Sequence, residues 1–169
     1  PGSIGGVISG WGATLGERVV TNHDLAQTLD TSDEWIVTRT GISERRIGGT
    51  TAGLACRAAS DALSLAGLTP DRIDALILST TTPDRQWGTA QIVQRELGLQ
   101  CGSFEVNAAC SGFVYSLVNA HGLLAMGADR VLVIGADTLS RITDWNDRAT
   151  APLFADAAGA VVIESTDGP

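Results

Sequence analysis

The sequence predicts an α/β fold, in which strands and helices alternate and the helices pack on a mostly parallel sheet. Three observations carry this expectation. Residues 73–79, 131–134 and 160–163 are near-continuous apolar runs, as strands buried on both faces require. The segments before and between them, above all 51–67 and 110–126, repeat apolar residues at helical spacing. With 169 residues and 44% hydrophobic side chains, the chain can bury a core of its own as one globular domain.

Taken in order, residues 7–15 read as a first strand, weakened by Gly10 and Gly12. Asn22 is a cap-like start for a short helix over 22–29, and Ser32-Asp33-Glu34 repeats the polar start before a second one. Across 51–67, Leu54, Ala55, Ala58, Ala62, Leu65 and Ala66 share one helical face, and Gly67 is placed to stop the helix. The run 73–79 lies between Pro70 and Pro83 and reads as a buried strand; a helix over 89–98 follows, ending in Gly98. A short strand at 104–106 leads into the helix 110–126, which is apolar nearly all round and so belongs inside the protein. Strands at 131–134 and 160–163 complete the alternation, and no linker, repeat or low-complexity tract interrupts it.

Composition removes several classes of function. A net charge of −8 disfavours a general nucleic-acid binder, because most of the surface would repel a phosphate backbone. No apolar run approaches the roughly 20 residues of a membrane span, and the N-terminus lacks a charged segment leading into an apolar signal core. A cytoplasmic protein with no membrane partner is expected. Cys56, Cys101 and Cys110 are odd in number and lack metal-finger spacing, which argues against a disulfide framework and a zinc site. All 11 basic residues are arginines, so neither a Schiff-base lysine nor a P-loop lysine can come from this chain. The opening Pro1-Gly2-Ser3, without an initiating Met, reads as an expression scar, which leaves 4–169 as the domain.

Cys110 stands where a strand-like segment ends and the long apolar helix begins. There a thiol meets the positive end of the helix dipole and unpaired N–H groups, which favour the thiolate and could receive a thioester oxyanion. Position alone leaves the alternative open that Cys110 is a small buried hydrophobe. His23 and His121 are the only imidazoles. His121 follows Cys110 by 11 residues and returns to nearly the same helix face, but about 16 Å along the axis, beyond hydrogen-bond reach. Both histidines are therefore expected to be structural. The stretch from Trp35 to Arg46 sets one flat aromatic beside Arg39, Arg45 and Arg46. It suits either a nucleotide, with Trp stacking on a base and Arg on phosphate, or a solvated arginine face. Arg148 stands similarly in a polar loop.

Taken together, the run TSDEWIVTRTGI from Thr31, the run NAACSGF around Cys110, and Asp147-Arg148 followed by FADAAGA from Phe154 resemble β-ketoacyl-acyl-carrier-protein synthase III, in family order and over nearly the whole chain. The resemblance implies a thiolase-like fold, this chain being the N-terminal βαβαβαββ half of a five-layered αβαβα subunit that pairs as a dimer. It implies that Cys110 takes an acyl group from acyl-CoA, with its own N–H in the oxyanion hole. Trp35 would stack on the CoA adenine beside Thr31, and Arg39 and Arg148 would hold CoA. No cofactor is implied, the CoA thioester being a substrate. A His and an Asn from the missing half, or from a second chain, would assist condensation with malonyl-acyl-carrier protein.

Departures from the family pattern carry their own expectations. The chain ends just after the half-fold, as in a truncated or cleaved product or one chain of two. The loop at 82–88 is one residue shorter than usual and places Gln86 and Trp87 where it borders the partner subunit's acyl pocket. Plain acyl transfer to a small nucleophile, or a non-catalytic subunit, are the competing readings. In the FADAAGA run, extra methyl groups at Ala155 and Ala157 are expected to shift close backbone packing. Arg45 and Arg46 are candidates for docking an acidic carrier protein.

Overall fold

A computed structural model describes residues 4–168, so the expected scar at 1–3 lies outside the described residues. Strand β1 (Ile4–Leu15) runs into a small hairpin-like unit built from β2 (Arg18–Thr21), the short helices α1 (Asn22–Ala26) and α2 (Asp33–Thr40), and β3 (Glu44–Ile47). Helix α3 (Thr51–Ala66), β4 (Ala75–Ser79), α4 (Thr89–Leu97) and β5 (Gly102–Val106) follow. Helix α5 (Gly112–Ala125), β6 (Arg130–Thr138) and β7 (Asp156–Asp167) complete the chain. Gly67 and Gly98 stop α3 and α4 with φ of 68° and 73°, the left-handed caps their positions predict.

The main sheet has the order β1-β7-β6-β4-β5. Only β4 pairs in parallel, with β5 and β6; β7 runs antiparallel between β6 and β1. The expected mostly parallel sheet is thus half antiparallel. The reason lies in the connection from β6 to β7, which has only a single 3-10 turn, Leu139–Arg141, and further turns instead of a crossover helix, so the chain returns beside the strand it left. Strands β2 and β3, which pair antiparallel in a separate two-stranded sheet, were not foreseen from the sequence.

Alternate residues of the central strands feed two cores. Leu76, Leu78, Leu132 and Ile134 pack with the alanine face of α3 and with α4. Ile77, Val131 and Val133 point the other way, toward Ala120 and Leu124 of α5. A third small core joins Val20, Leu25, Ile36 and Ile47 of the hairpin unit to Ala151, with Trp35 and Trp145 against it. The expectation that α5 lies inside the protein is corrected. Gly112, Ser116, Ala120 and Leu124 face the sheet, but Val114, Tyr115 and Val118 are 57%, 54% and 66% exposed. Among the described residues nothing covers the far side of α5. Among the described residues no helix is long and apolar enough to cross a membrane.

Candidate active site

Cys110 lies on the 3-10 turn Ala109–Ser111, between the last residue of β5 and the first of α5, and it is exposed. The buried-hydrophobe alternative is therefore set aside. Ala109 holds a φ of 47°, alone among the described non-glycine residues in the left-handed region. That conformation costs about 1–2 kcal/mol for an L-residue, and such strain collects at functional turns. Directly after the turn, a Cβ on Gly112 would overlap the Ser79 hydroxyl at the end of β4. Glycine lets α5 begin hard against that strand, which sets Cys110 over the carboxyl ends of β4 and β5, where open α/β sheets bind ligands. Ser111 caps α5 without any side-chain hydrogen bond; its own N–H donates to the Ala108 carbonyl at 3.1 Å and the Gly112 N–H to the Ala109 carbonyl, so the turn at Cys110 is closed by its own backbone.

The aromatic and arginine set assembles from two distant segments. Ser32 caps α2 by accepting from the Trp35 N–H at 3.1 Å, and Gly41, at φ 73°, ends the helix two residues after Arg39. The guanidinium carbons of Arg39 and Arg148 lie 4.5 and 4.2 Å from the Trp35 ring centroid. Arg148 arrives from a turn in which the Asp147 carboxylate accepts from the Thr150 hydroxyl at 2.6 Å and the Ala149 N–H at 2.9 Å. Those two bonds hold the Asp147 carboxyl below its ordinary value. Beside the stack, Ser32, Glu34, Trp35, Thr38 and Arg39 line a shallow pocket of about 280 Å³. Thr31 is half-buried just before α2, and its Oγ1 has no hydrogen-bond partner among the described residues.

Other expected residues fall elsewhere. Arg45 is 3% exposed, so it cannot dock a carrier protein; its place in the small core turns the guanidinium inward. Arg46 is half-buried, 3.9 Å from Glu44. Gln86 and Trp87 stand exposed on the loop before α4, where Trp87 borders a groove of about 670 Å³ with Arg85, Gln91 and Arg95, residues that do not include Cys110. The methyl groups of Ala155 and Ala157 line open cavities, and β7 keeps regular register past Ala157, so they disturb no close packing. His23 and His121 are both exposed, and among the described residues neither hydrogen-bonds to Cys110.

The sequence reading missed two features. Asn22 and Arg45 form a buried polar path between α2 and the Arg148 turn, for which only the cap-like Asn22 gave a hint. Asp156, also buried, accepts from the Gly48 N–H, the Ser140 N–H and the Ser140 hydroxyl, pinning two loops to the start of β7.

Residues 104–169 match the family model described as 3-oxoacyl-(acyl-carrier-protein) synthase III. The chain is 52% identical over 171 residues to the β-ketoacyl-(acyl-carrier-protein) synthase III of Erythrobacter litoralis, covering 98% of this chain and 53% of that protein. The crystal structure of the 3-oxoacyl-(acyl-carrier-protein) synthase III of Aquifex aeolicus superposes with a TM-score of 0.94 at 47% identity, over 96% of this chain and 55% of that one. The priming β-ketosynthase of the R1128 polyketide pathway superposes with a TM-score of 0.91 at 34% identity, over 97% and 51%. The chain spans about half the length of the relatives it matches. Its thiolase-type half-fold and this degree of identity establish that it belongs to the β-ketoacyl-(acyl-carrier-protein) synthase III family.

Proposed function

We propose that this chain is the nucleophile-bearing half of a synthase III-type acyltransferase. The Cys110 thiolate attacks the carbonyl carbon of an acyl-CoA, forming the new S–C bond and a tetrahedral oxyanion; as that intermediate collapses the carbonyl re-forms, the C–S bond to CoA breaks, and the departing CoA thiolate takes up a proton. The backbone N–H of Cys110 itself, on the turn before α5, helps receive the oxyanion of the tetrahedral intermediate. Trp35, Arg39 and Arg148 hold the coenzyme's nucleotide end, with Thr31 beside them. The acyl group then passes to the carbanion left when malonyl-carrier protein loses CO2, and Cys110 leaves as thiolate.

The observation that carries this reading is the convergence of Arg39 and Arg148 on Trp35. Sequence left a solvated arginine face as an equal alternative, whereas two guanidinium groups stacked on one indole form a cationic, flat-sided seat for a purine and its phosphates. The second step needs a His and an Asn that this chain does not supply, and we assign them to the half that covers the open side of α5. Gln86 and Trp87 would face the partner subunit's acyl pocket in a dimer of complete units.

The test is intact and peptide mass spectrometry of the complete enzyme after incubation with acetyl-CoA. One acyl group on the Cys110 peptide, absent in Cys110→Ala, is expected. Release of CO2 with carbon–carbon bond formation upon addition of malonyl-carrier protein separates condensation from plain acyl transfer. A Cys110→Ala variant that condenses at the normal rate overturns the proposal.

A further inference from the structure

The two halves of the Trp35 stack come from segments more than a hundred residues apart in sequence, and a surface stacking contact by itself holds them only loosely. A buried path joins them underneath. Arg45 on β3 donates through Nη2 to the Pro152 carbonyl at 3.3 Å, at the end of the turn that carries Arg148, and to the Asn22 Oδ1 at 2.6 Å. Its Nη1 donates to the Val20 carbonyl at 3.1 Å. Asn22 then donates through Nδ2 to Asp33 Oδ1 and to the Ile42 carbonyl, both at 2.8 Å. Asp33 is the first residue of α2 and Ile42 lies just past its last, so one amide grips both ends of the helix that bears Trp35 and Arg39. The amide's orientation follows from its partners, since only its oxygen can accept from a guanidinium and only its NH2 can donate to a carboxylate.

Asn22 and Arg45 are 1% and 3% exposed, and among the described residues no carboxylate lies within ion-pair distance of the guanidinium. Burial pulls the Arg45 guanidinium below its ordinary value. A buried charge that meets its counter-charge only through an amide is a poor source of stability and a good source of fixed geometry. Resting on the coenzyme reading of the stack, we infer that Arg45 and Asn22 are positioning residues for the nucleotide clamp: they tie the turn bearing Arg148 to α2, so that Arg148, Arg39 and Trp35 meet an adenine nucleotide as one fixed site.

The experiment compares acetyl-CoA with acetyl-pantetheine, which lacks the nucleotide, in the complete enzyme. In Arg45→Met the KM for acetyl-CoA rises about tenfold with kcat within twofold, while kcat/KM for acetyl-pantetheine stays unchanged. Asn22→Ser, which keeps a short polar side chain, gives the same loss of preference and serves if Arg45→Met does not fold. Asp33→Asn retains the acceptor and loses about twofold. Equal losses on both substrates overturn the positioning role and leave Arg45 as a fold element. A Trp35→Ala enzyme that keeps its full preference for acetyl-CoA overturns the coenzyme reading itself, and that outcome is distinct because it needs no change at Arg45.

Discussion

Helices α3 and α5 pack on opposite faces of one sheet, and the more apolar of the two is the less buried. On the α3 side, small residues on both partners bring backbones together. A Cβ on Gly10 would overlap the Ala62 carbonyl oxygen, and one on Gly12 the Ala58 carbonyl oxygen. The strand glycines that weaken β1 as a strand are thus the sockets for the alanine ridge of α3. On the α5 side, Ile8, Trp11 and Leu15 of β1 stay more than half exposed, as do Val114, Tyr115 and Val118 of α5. Hydrophobicity therefore marks a surface that must be covered, while the chain decides which covering layer it supplies itself.

The sharpest contrast between the faces is chemical. Cys56 sits on α3, where burial, then the nearby Glu96, pushes its thiol up to about 12; Cys110 stands exposed before α5. A raised value keeps Cys56 neutral across the whole range below it, so at pH 8 on the order of one molecule in ten thousand carries the reactive thiolate there. Brief alkylation at pH 8, read by peptide mass spectrometry, should label Cys110 and spare Cys56. Equal labelling would mean that the α3 face opens in solution.

Next in size is the socket itself. Gly12→Val forces a branched side chain into the α3 backbone and should cost about 3 kcal/mol in urea denaturation. A loss under 1 kcal/mol would show that α3 can retreat and that the close approach is not needed. The smallest effect belongs to the open face, where Val118→Ser should change the stability of this chain by no more than about 0.5 kcal/mol. In a chain as long as the relatives, where a second half packs on this face, the same substitution should cost clearly more. A large effect in this chain alone would mean that the face is already covered, by self-association for instance.

Much of the fold was legible because its signals are local. Apolar runs located β4, β6 and part of β7, and Gly67 and Gly98 ended their helices where a left-handed residue was needed. The position of Cys110 was legible for the same reason, at a strand-to-helix boundary written in consecutive residues. The misreadings involve long-range placement. Arg45 looked like a surface cation because nothing in its neighbourhood names Val20, Asn22 and Pro152 as its acceptors. The direction of β7 was hidden because a turn-rich connector of irregular residues carries no periodicity, and β2 and β3 were missed because four-residue strands are too short to show one.

By itself the sequence determined most of the elements, the candidate nucleophile and, through motif order, the family, since each is set by side chains adjacent along the chain. Tertiary structure decided which arginines meet Trp35 and which one is buried beneath them. It also decided which face of the sheet is finished, because burial depends on what another segment brings within a few ångströms, and no local pattern encodes that distance.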